Sequence, residues 1–301
     1  MGNPLPNEIV FHIVSFLHPF TDRATLVNLA LASAGLWEIA SKRLYRDLRL
    51  RDEQLRRLVA GSLDSAFPQN ITMEELKAIA DNGGSKFTAR GQRAIGFIWR
   101  LRINLPSQQT LETLYAATLP NIPLFPNVRH VCLSDDDLGS WGFWRPPPPP
   151  ESLNRQRQGP MDVVLFDGAA FCVAGVESMG AQMWLCHKNT MAWTFHVTVV
   201  RDWFDWFTEP TSWNSMRIFA NGSSDSLDQL GTPIEWKRLE TAHANDPNVH
   251  ICLDIPLASM EDSRERLECM FDWESDPPKC YVTAGDACSP CESCGESCTT
   301  G

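Results

Sequence analysis

Several things are scarce in this sequence. No apolar run approaches the ~18 residues that a membrane-spanning helix requires, so no membrane span is expected. The start does not read as a secretory leader either, because Glu8, His12, His18 and Asp22 interrupt every apolar stretch. Basic charge is in deficit, with 26 Lys and Arg against 37 Asp and Glu and a formal net charge of −11. An acidic surface repels phosphate backbones, so a nucleic-acid partner is not expected, while a basic protein partner is allowed; the same acidity also serves plain solubility. There is no Gly-x-Ser-x-Gly elbow, no Walker loop, no dinucleotide glycine fingerprint and no zinc-protease helix. The seven histidines, His12, His18, His130, His187, His196, His243 and His250, are scattered without ligand spacing, and no catalytic residue is assigned. The expectation is a non-enzymatic protein of the cytoplasm or nucleus.

What is present is a core in the making. With 43% apolar residues, including 11 Trp and 15 Phe, the 301-residue chain can bury a sizeable interior, and its length suits a small module followed by a larger domain. The charge divides the same way. Residues 1–57 carry eight basic and six acidic side chains, which leaves 18 basic and 31 acidic residues for the remainder.

From Leu5 to Leu50 the pattern predicts three short helices. Pro6 suits a first turn, where its missing N–H costs nothing, and Ile9, Ile13, Phe16 and Leu17 follow on one apolar face before His18-Pro19 stops the helix. Asp22 is placed to cap a second helix bearing Leu26, Leu29 and Ala30, which Ser33 to Gly35 break. A third, Leu36 to Leu48, sets Leu36, Ile39, Ala40 and Leu44 on one stripe. Each is too short to stand alone in water, so the three must pack together or on a partner.

The run Leu5-Pro6-Asn7-Glu8-Ile9, then Ile13, Leu17, Asp22, Leu26, Leu29, Leu31, Ser33, Trp37, Ala40 and Leu44-Tyr45, resembles the F-box in residue type and spacing. The ending Leu44-Tyr45-Arg46-Asp47-Leu48-Arg49-Leu50 is similar to that of fungal F-box proteins in particular. The resemblance covers about the first fifty residues and implies docking on a Skp-type adaptor, which links the chain to a cullin scaffold within an SCF ubiquitin ligase. It implies further that Leu5, Pro6, Ile9, Ile13 and Trp37 lie on or beside the adaptor surface. The residue pattern by itself reads Ile13, Leu17, Leu29 and Leu44 as the core of the three helices, and Leu5 and Pro6 as an exposed apolar edge of the kind that marks a partner site.

Arg51 to Arg57 and Gln69 to Arg93 are polar stretches that connect this hook to a body. Beyond them, apolar β-branched segments recur: Ile98 to Ile103, Val128 to Leu133, Val163 to Phe166, Phe195 to Val200, Met216 to Phe219, Val249 to Ile255 and Tyr281 to Thr283. Between them Leu111 to Leu119, Ala169 to Leu185, Arg201 to Phe207, Ile234 to Ala242 and Met260 to Phe271 read as helices. Such alternation predicts parallel strands with crossovers. The expected fold class is therefore α+β overall, a three-helix module (1–50) and packing helices (51–97) followed by an irregular α/β domain (98–284) and a flexible Cys-rich tail (285–301).

Strand starts fall mostly about thirty residues apart, as in a repeat array. With Leu119-Pro120-Asn121 and Phe125-Pro126-Asn127-Val128-Arg129-His130-Val131 leading into a strand, the body resembles a degenerate leucine-rich-repeat domain. That resemblance implies a concave strand face presented to a protein target. No asparagine ladder or regular leucine spacing is present, and a non-repeat α/β domain is the alternative.

Trp141, Phe143 and Trp144, ahead of Arg145 and the proline run Pro146 to Pro150, are the candidates for target binding. The prolines impose an extended stretch, either a stiff loop or a polyproline ligand. The cluster Trp203, Phe204, Trp206 and Phe207 reads as core.

Cys288, Cys291, Cys294 and Cys298 have a C-x2-C-x2-C-x3-C spacing that occurs in iron–sulfur sites and suits zinc. Their surroundings of Ser, Gly, Thr and Glu offer no apolar shell, so a frayed thiol tail without cofactor is the expectation and a metal site the alternative. Cys132, Cys172, Cys186, Cys252 and Cys269 read as small buried hydrophobes. Two other roles stay open beside that of ligase receptor: an adaptor-binding protein that delivers no target, and a metal- or redox-responsive regulator using the terminal thiols.

Overall fold

A computed structural model describes residues 6–19, 21–68, 71–104, 106–134, 163–174, 187–197, 216–220, 249–253 and 280–284, with Cys291 and Ser293. The chain divides into two units, Met1–Arg129 with Pro148–Asp167, and His130–Pro147 with Gly168–Gly301.

The first unit begins with α1 (Asn7–Phe16), α2 (Arg23–Ala32) and α3 (Ala34–Arg46). Pro6 precedes α1, and its carbonyl accepts the amides of Ile9 and Val10 at 3.0 and 3.2 Å. Leu17 is already extended, so the chain leaves the helix ahead of His18-Pro19. Asp22 stands at the predicted cap of α2 but does not cap it through its side chain. Its carboxylate instead accepts the His18 amide at 2.7 Å and closes the α1–α2 turn. Ser33 ends α2 and caps α3, its hydroxyl accepting the Leu36 amide at 3.2 Å.

Val14, Leu26 and Ala40 form the buried centre of the three helices, and Val10, Leu17, Leu29, Ala30, Ile39 and Leu44 pack around it. Arg43 donates from Nε to the Leu17 carbonyl at 3.0 Å, supplying a partner to the chain leaving α1.

Helix α3 stops at Arg46, two residues short of the expected Leu48, and runs into β1 (Asp47–Leu50). Asp47-Leu48-Arg49-Leu50 alternates charged and apolar residues, which is strand periodicity, and Leu48 is the buried member. The polar connection that follows folds into α4 (Asp52–Ala60), α5 (Met73–Asp81) and α6 (Ala89–Gly96), then β2 (Arg100–Asn104) and α7 (Gln108–Ala117). Thr72 and Glu75 make a reciprocal capping box at α5, and Thr88 and Ser107 cap α6 and α7. Strands β1 and β2 pair in parallel from Asp47↔Arg100 to Leu50↔Ile103, with an Arg100–Asp47 ion pair at 3.4 Å. Farther on, Leu124 and Phe125 donate to the carbonyls of Val164 and Leu165, and Phe125 stacks on Phe166 at 5.3 Å, just where the short β4 (Phe166–Asp167) begins.

The second unit contributes β3 (His130–Ser134), β5 (Ala170–Ala174), the short β6 (His187–Lys188), β7 (Ala192–Val197), β8 (Met216–Ala220), β9 (Val249–Leu253) and β10 (Cys280–Ala284). Within it β3, β5, β7, β8, β9 and β10 lie side by side in sequence order, each parallel to the next. Helices together with a parallel sheet make the chain α+β, as the alternating pattern predicts. One correction concerns Ala169 to Leu185: its start is not helical, since Ala170–Ala174 is β5, paired on both edges. Phe171 and Val173 alternate with smaller residues between Gly168 and Gly175, and burial on both sides of a central strand outweighs the helix propensity of alanine.

The register sorts these strands into rows. Val131, Phe171, Trp193, Met216, Val249 and Cys280 form one, and Leu133, Val173, Phe195, Ile218, Ile251 and Val282 another. Both are dominated by apolar residues and, two positions apart, belong to one face. Phe171 and Trp193 stack at 4.6 Å in the first. The row between them, on the opposite face, reads Cys132, Cys172, Thr194, Arg217, His250 and Tyr281. Among the described residues no helix is long and apolar enough to cross a membrane.

Candidate functional site

Helix α1 is apolar on two sides. Val10, Val14 and Leu17 turn toward α2 and α3, whereas Ile9, Ile13 and Phe16, spaced one turn apart, face outward. Ile9 is 47% exposed, Ile13 51% and Phe16 74%. Phe11 on α1 and Val27 and Leu31 on α2 are exposed as well, so six of the nine exposed large apolar side chains among the described residues lie within the first two helices. Scattered exposed apolar residues are ordinary; here they gather on a helix that already has a buried stripe, which makes an exposed apolar patch. The ring of His12 meets Phe16 edge-on at 4.8 Å and holds that side chain against the helix rather than in the core.

The residues singled out in the sequence divide accordingly. Pro6 is exposed beside Ile9 and Ile13. Ile13 does not fill the core of the three helices as the residue pattern suggests; Val14 takes that place, because a small β-branched side chain fits between Leu26 and Ala40 and rotates Ile13 outward. Leu17, Leu29 and Leu44 do pack on that core. Trp37 is half-buried, with the Arg90 guanidinium 4.9 Å above its ring and Phe97 at 6.2 Å. It lines a cleft of about 510 Å³ together with Leu31, Ala34, Arg90 and Arg93. Leu5, Trp141, Phe143, Trp144, Cys288, Cys294 and Cys298 lie outside the described residues.

A second cavity of about 220 Å³ is lined by Lys86, Phe87, Ile95, Leu119 and Pro123 among others. Lys86 donates to the Ala116 carbonyl at 2.8 Å, and burial lowers its amine below the usual lysine range.

The remaining cluster was not legible in the sequence. Cys132 and Cys172 occupy the same register position on β3 and β5, with their Sγ atoms 3.5 Å apart. His196, two residues beyond the Cys172 row on β7, and Cys291 join them: the ligand atoms of Cys172, His196 and Cys291 lie within 4.8 Å of one another, and all three residues are buried. Cys291, whose spacing groups it with Cys288, Cys294 and Cys298, meets residues from the sheet and is 1% exposed, so at this point the chain is packed rather than frayed. The signal that would have found the cluster is the parity of Cys132, Cys172 and His196 within their strands, which acquires meaning only once the register is known. No protein-family model, no curated protein and no solved structure matches the chain.

Proposed function

We propose that this chain is a non-catalytic substrate receptor of an SCF-type ubiquitin ligase in the cytoplasm or nucleus. Helices α1–α3 act as an F-box that binds a Skp-type adaptor and, through it, a cullin scaffold. The body, read as a degenerate leucine-rich-repeat domain, binds a protein target.

The observation that carries this reading is the outward stripe Ile9, Ile13 and Phe16 beside Pro6, on a helix whose other stripe already supplies the local core. These include three of the positions at which the F-box resemblance implies adaptor contact. The repeat-like body is supported by the sheet order: parallel strands following one another in sequence lack the reversal of a doubly wound sheet, and that is how stacked repeats build a sheet. The chemistry takes place on other subunits. The receptor contributes effective concentration, holding target lysines near a charged ubiquitin carrier so that transfer becomes quasi-intramolecular.

The test is co-purification of the intact chain with a Skp-type adaptor, compared with a Leu5→Ala/Pro6→Ala variant. Strong capture that the double variant loses is the expected result, and failure of the folded intact chain to bind overturns the adaptor role. Accelerated turnover of particular proteins on overproduction tests the ligase role separately.

A further inference from the structure

We propose that Cys132, Cys172, His196 and Cys291 bind a single zinc ion that fastens the carboxyl-terminal segment to the strands β3, β5 and β7. The site stands independently of the adaptor reading and uses a ligand set different from the C-x2-C-x2-C-x3-C run.

The four groups come from four separate segments and converge at buried positions. Cys132 is 4% exposed, Cys172 0%, His196 8% and Cys291 1%. A tetrahedral zinc ion with Zn–S near 2.3 Å and Zn–N near 2.0–2.1 Å sets its ligand atoms about 3.4–3.8 Å apart. The Cys132–Cys172 sulfur separation of 3.5 Å already falls there, and the ligand atoms of Cys172, His196 and Cys291, none more than 4.8 Å from another, need to close by about 1 Å at most, with Cys132 joining the set through its contact with Cys172. Three ligands sit on paired strands, a support rigid enough to hold such geometry. The fourth is placed by a contact of its own: Ser293, two residues past Cys291 and 2% exposed, donates from Oγ to the Ala170 carbonyl at 3.5 Å, at the start of β5.

The donor set selects the metal. Three thiolates and one imidazole suit zinc, whereas calcium and magnesium require oxygen ligands. Sulfurs this close suit one ion; a multi-iron cluster would place its thiolates on different irons. A closed set of four protein ligands leaves no position for water, which makes the ion structural rather than catalytic. On binding, the three thiols lose three protons to solvent, and three thiolates with Zn²⁺ leave the site a single net negative charge. Of the terminal cysteines, Cys291 is the described one, and it supplies the fourth ligand.

The experiment is metal analysis of the full chain purified without chelator, followed by cobalt(II) substitution. About one zinc per chain is expected, falling to background in Cys291→Ser and in Cys172→Ser. A Cys288→Ser/Cys294→Ser/Cys298→Ser variant should retain the metal in full. Because a strand substitution can also unfold the chain, His196→Cys provides the second arm. It keeps one metal per chain, and its cobalt form gains thiolate-to-metal charge-transfer intensity by about a third, as three thiolates become four. Three results overturn the proposal: a folded chain that holds almost no metal as purified and takes up none from zinc alone, metal lost only from the triple tail variant, or intact-mass analysis showing a Cys132–Cys172 disulfide in place of the ion.

Discussion

The outward stripe of α1 separates binding from stability in a way that can be measured. Changing Ile9, Ile13 and Phe16 together to Ser removes apolar surface that the fold leaves in water. Each substitution should therefore shift unfolding by no more than about 0.5 kcal/mol, the usual range for surface positions. Fully burying such side chains is worth about 1.5–3 kcal/mol each. Roughly half of each isoleucine and three-quarters of the phenylalanine stay exposed; on the proposed function an adaptor buries them, which makes about 4 kcal/mol in all, or about three orders of magnitude in adaptor affinity. Leu26→Ala is the contrasting variant. Leu26 is fully buried at the centre of the three helices, so truncation should cost about 2–5 kcal/mol of stability and weaken adaptor binding only through unfolding. Calorimetric titration with a purified Skp-type adaptor and urea melts of the same variants give both numbers. A triple variant that keeps its affinity, or one that loses stability as Leu26→Ala does, refutes the argument.

Other parts of the first unit are open to similar tests. Gly91→Ala would place a Cβ 2.4 Å from the Ser62 carbonyl oxygen and 2.8 Å from Ser62 Cα, so α6 must move; a loss of about 1–3 kcal/mol is expected in urea melts, whereas Gly35→Ala, with nothing within 4 Å, should be neutral or stabilising by up to about 1 kcal/mol. The Thr72 amide and then its hydroxyl hold the Glu75 carboxyl below its usual 4.5, so this cap contributes above that value and is lost as pH falls through the lower folded pKa. Urea midpoints of the parent should fall further than those of Glu75→Gln across that acid window, and parallel curves would remove the cap from the account. Lys86 has the opposite sign. Its folded pKa lies below 10.5 because burial penalises the ammonium, so stability should rise relative to Lys86→Met as pH climbs from the folded value to 10.5, and a constant difference would contradict this.

Much of this architecture is written locally. Met216 to Phe219, Val249 to Ile255 and Tyr281 to Thr283 are short, apolar and β-branched, and each contains or overlaps a strand. The three opening helices follow from apolar spacing and from the Pro19 and Ser33 breaks. What local pattern cannot decide is which of two apolar stripes is buried. α1 carries Val10-Val14-Leu17 beside Ile9-Ile13-Phe16, and only the packing of Val14 between Leu26 and Ala40 settles the choice. The Asp47–Leu50 strand was hidden for a related reason: four residues following a helical stripe can extend the helix or start a strand, and a partner 53 positions away, Arg100 opposite Asp47, decides. The cysteine–histidine cluster is wholly non-local, since Cys132, Cys172, His196 and Cys291 share neither a helix turn nor a motif spacing.

On the proposed function, the register rows of the second unit suggest a test of where a target is read. By residue type its two flanking register rows are mainly apolar, and the row between them holds polar residues at successive positions. At the β3, β5 and β7 positions of that row Cys132, Cys172 and Thr194 are buried, and Cys291 and Ser293 pack beside them, so this end is occupied by the chain itself. The same row continues through Arg217, His250 and Tyr281 on β8, β9 and β10, a cation, an imidazole and a phenol on adjacent strands. Strands about 4.8 Å apart space these positions over about 10 Å. On the proposed function, changing all three to Ala should leave adaptor capture and zinc content intact while abolishing the turnover of the proteins that the parent chain depletes when overproduced. Turnover that persists in a folded triple variant would move target recognition away from this row.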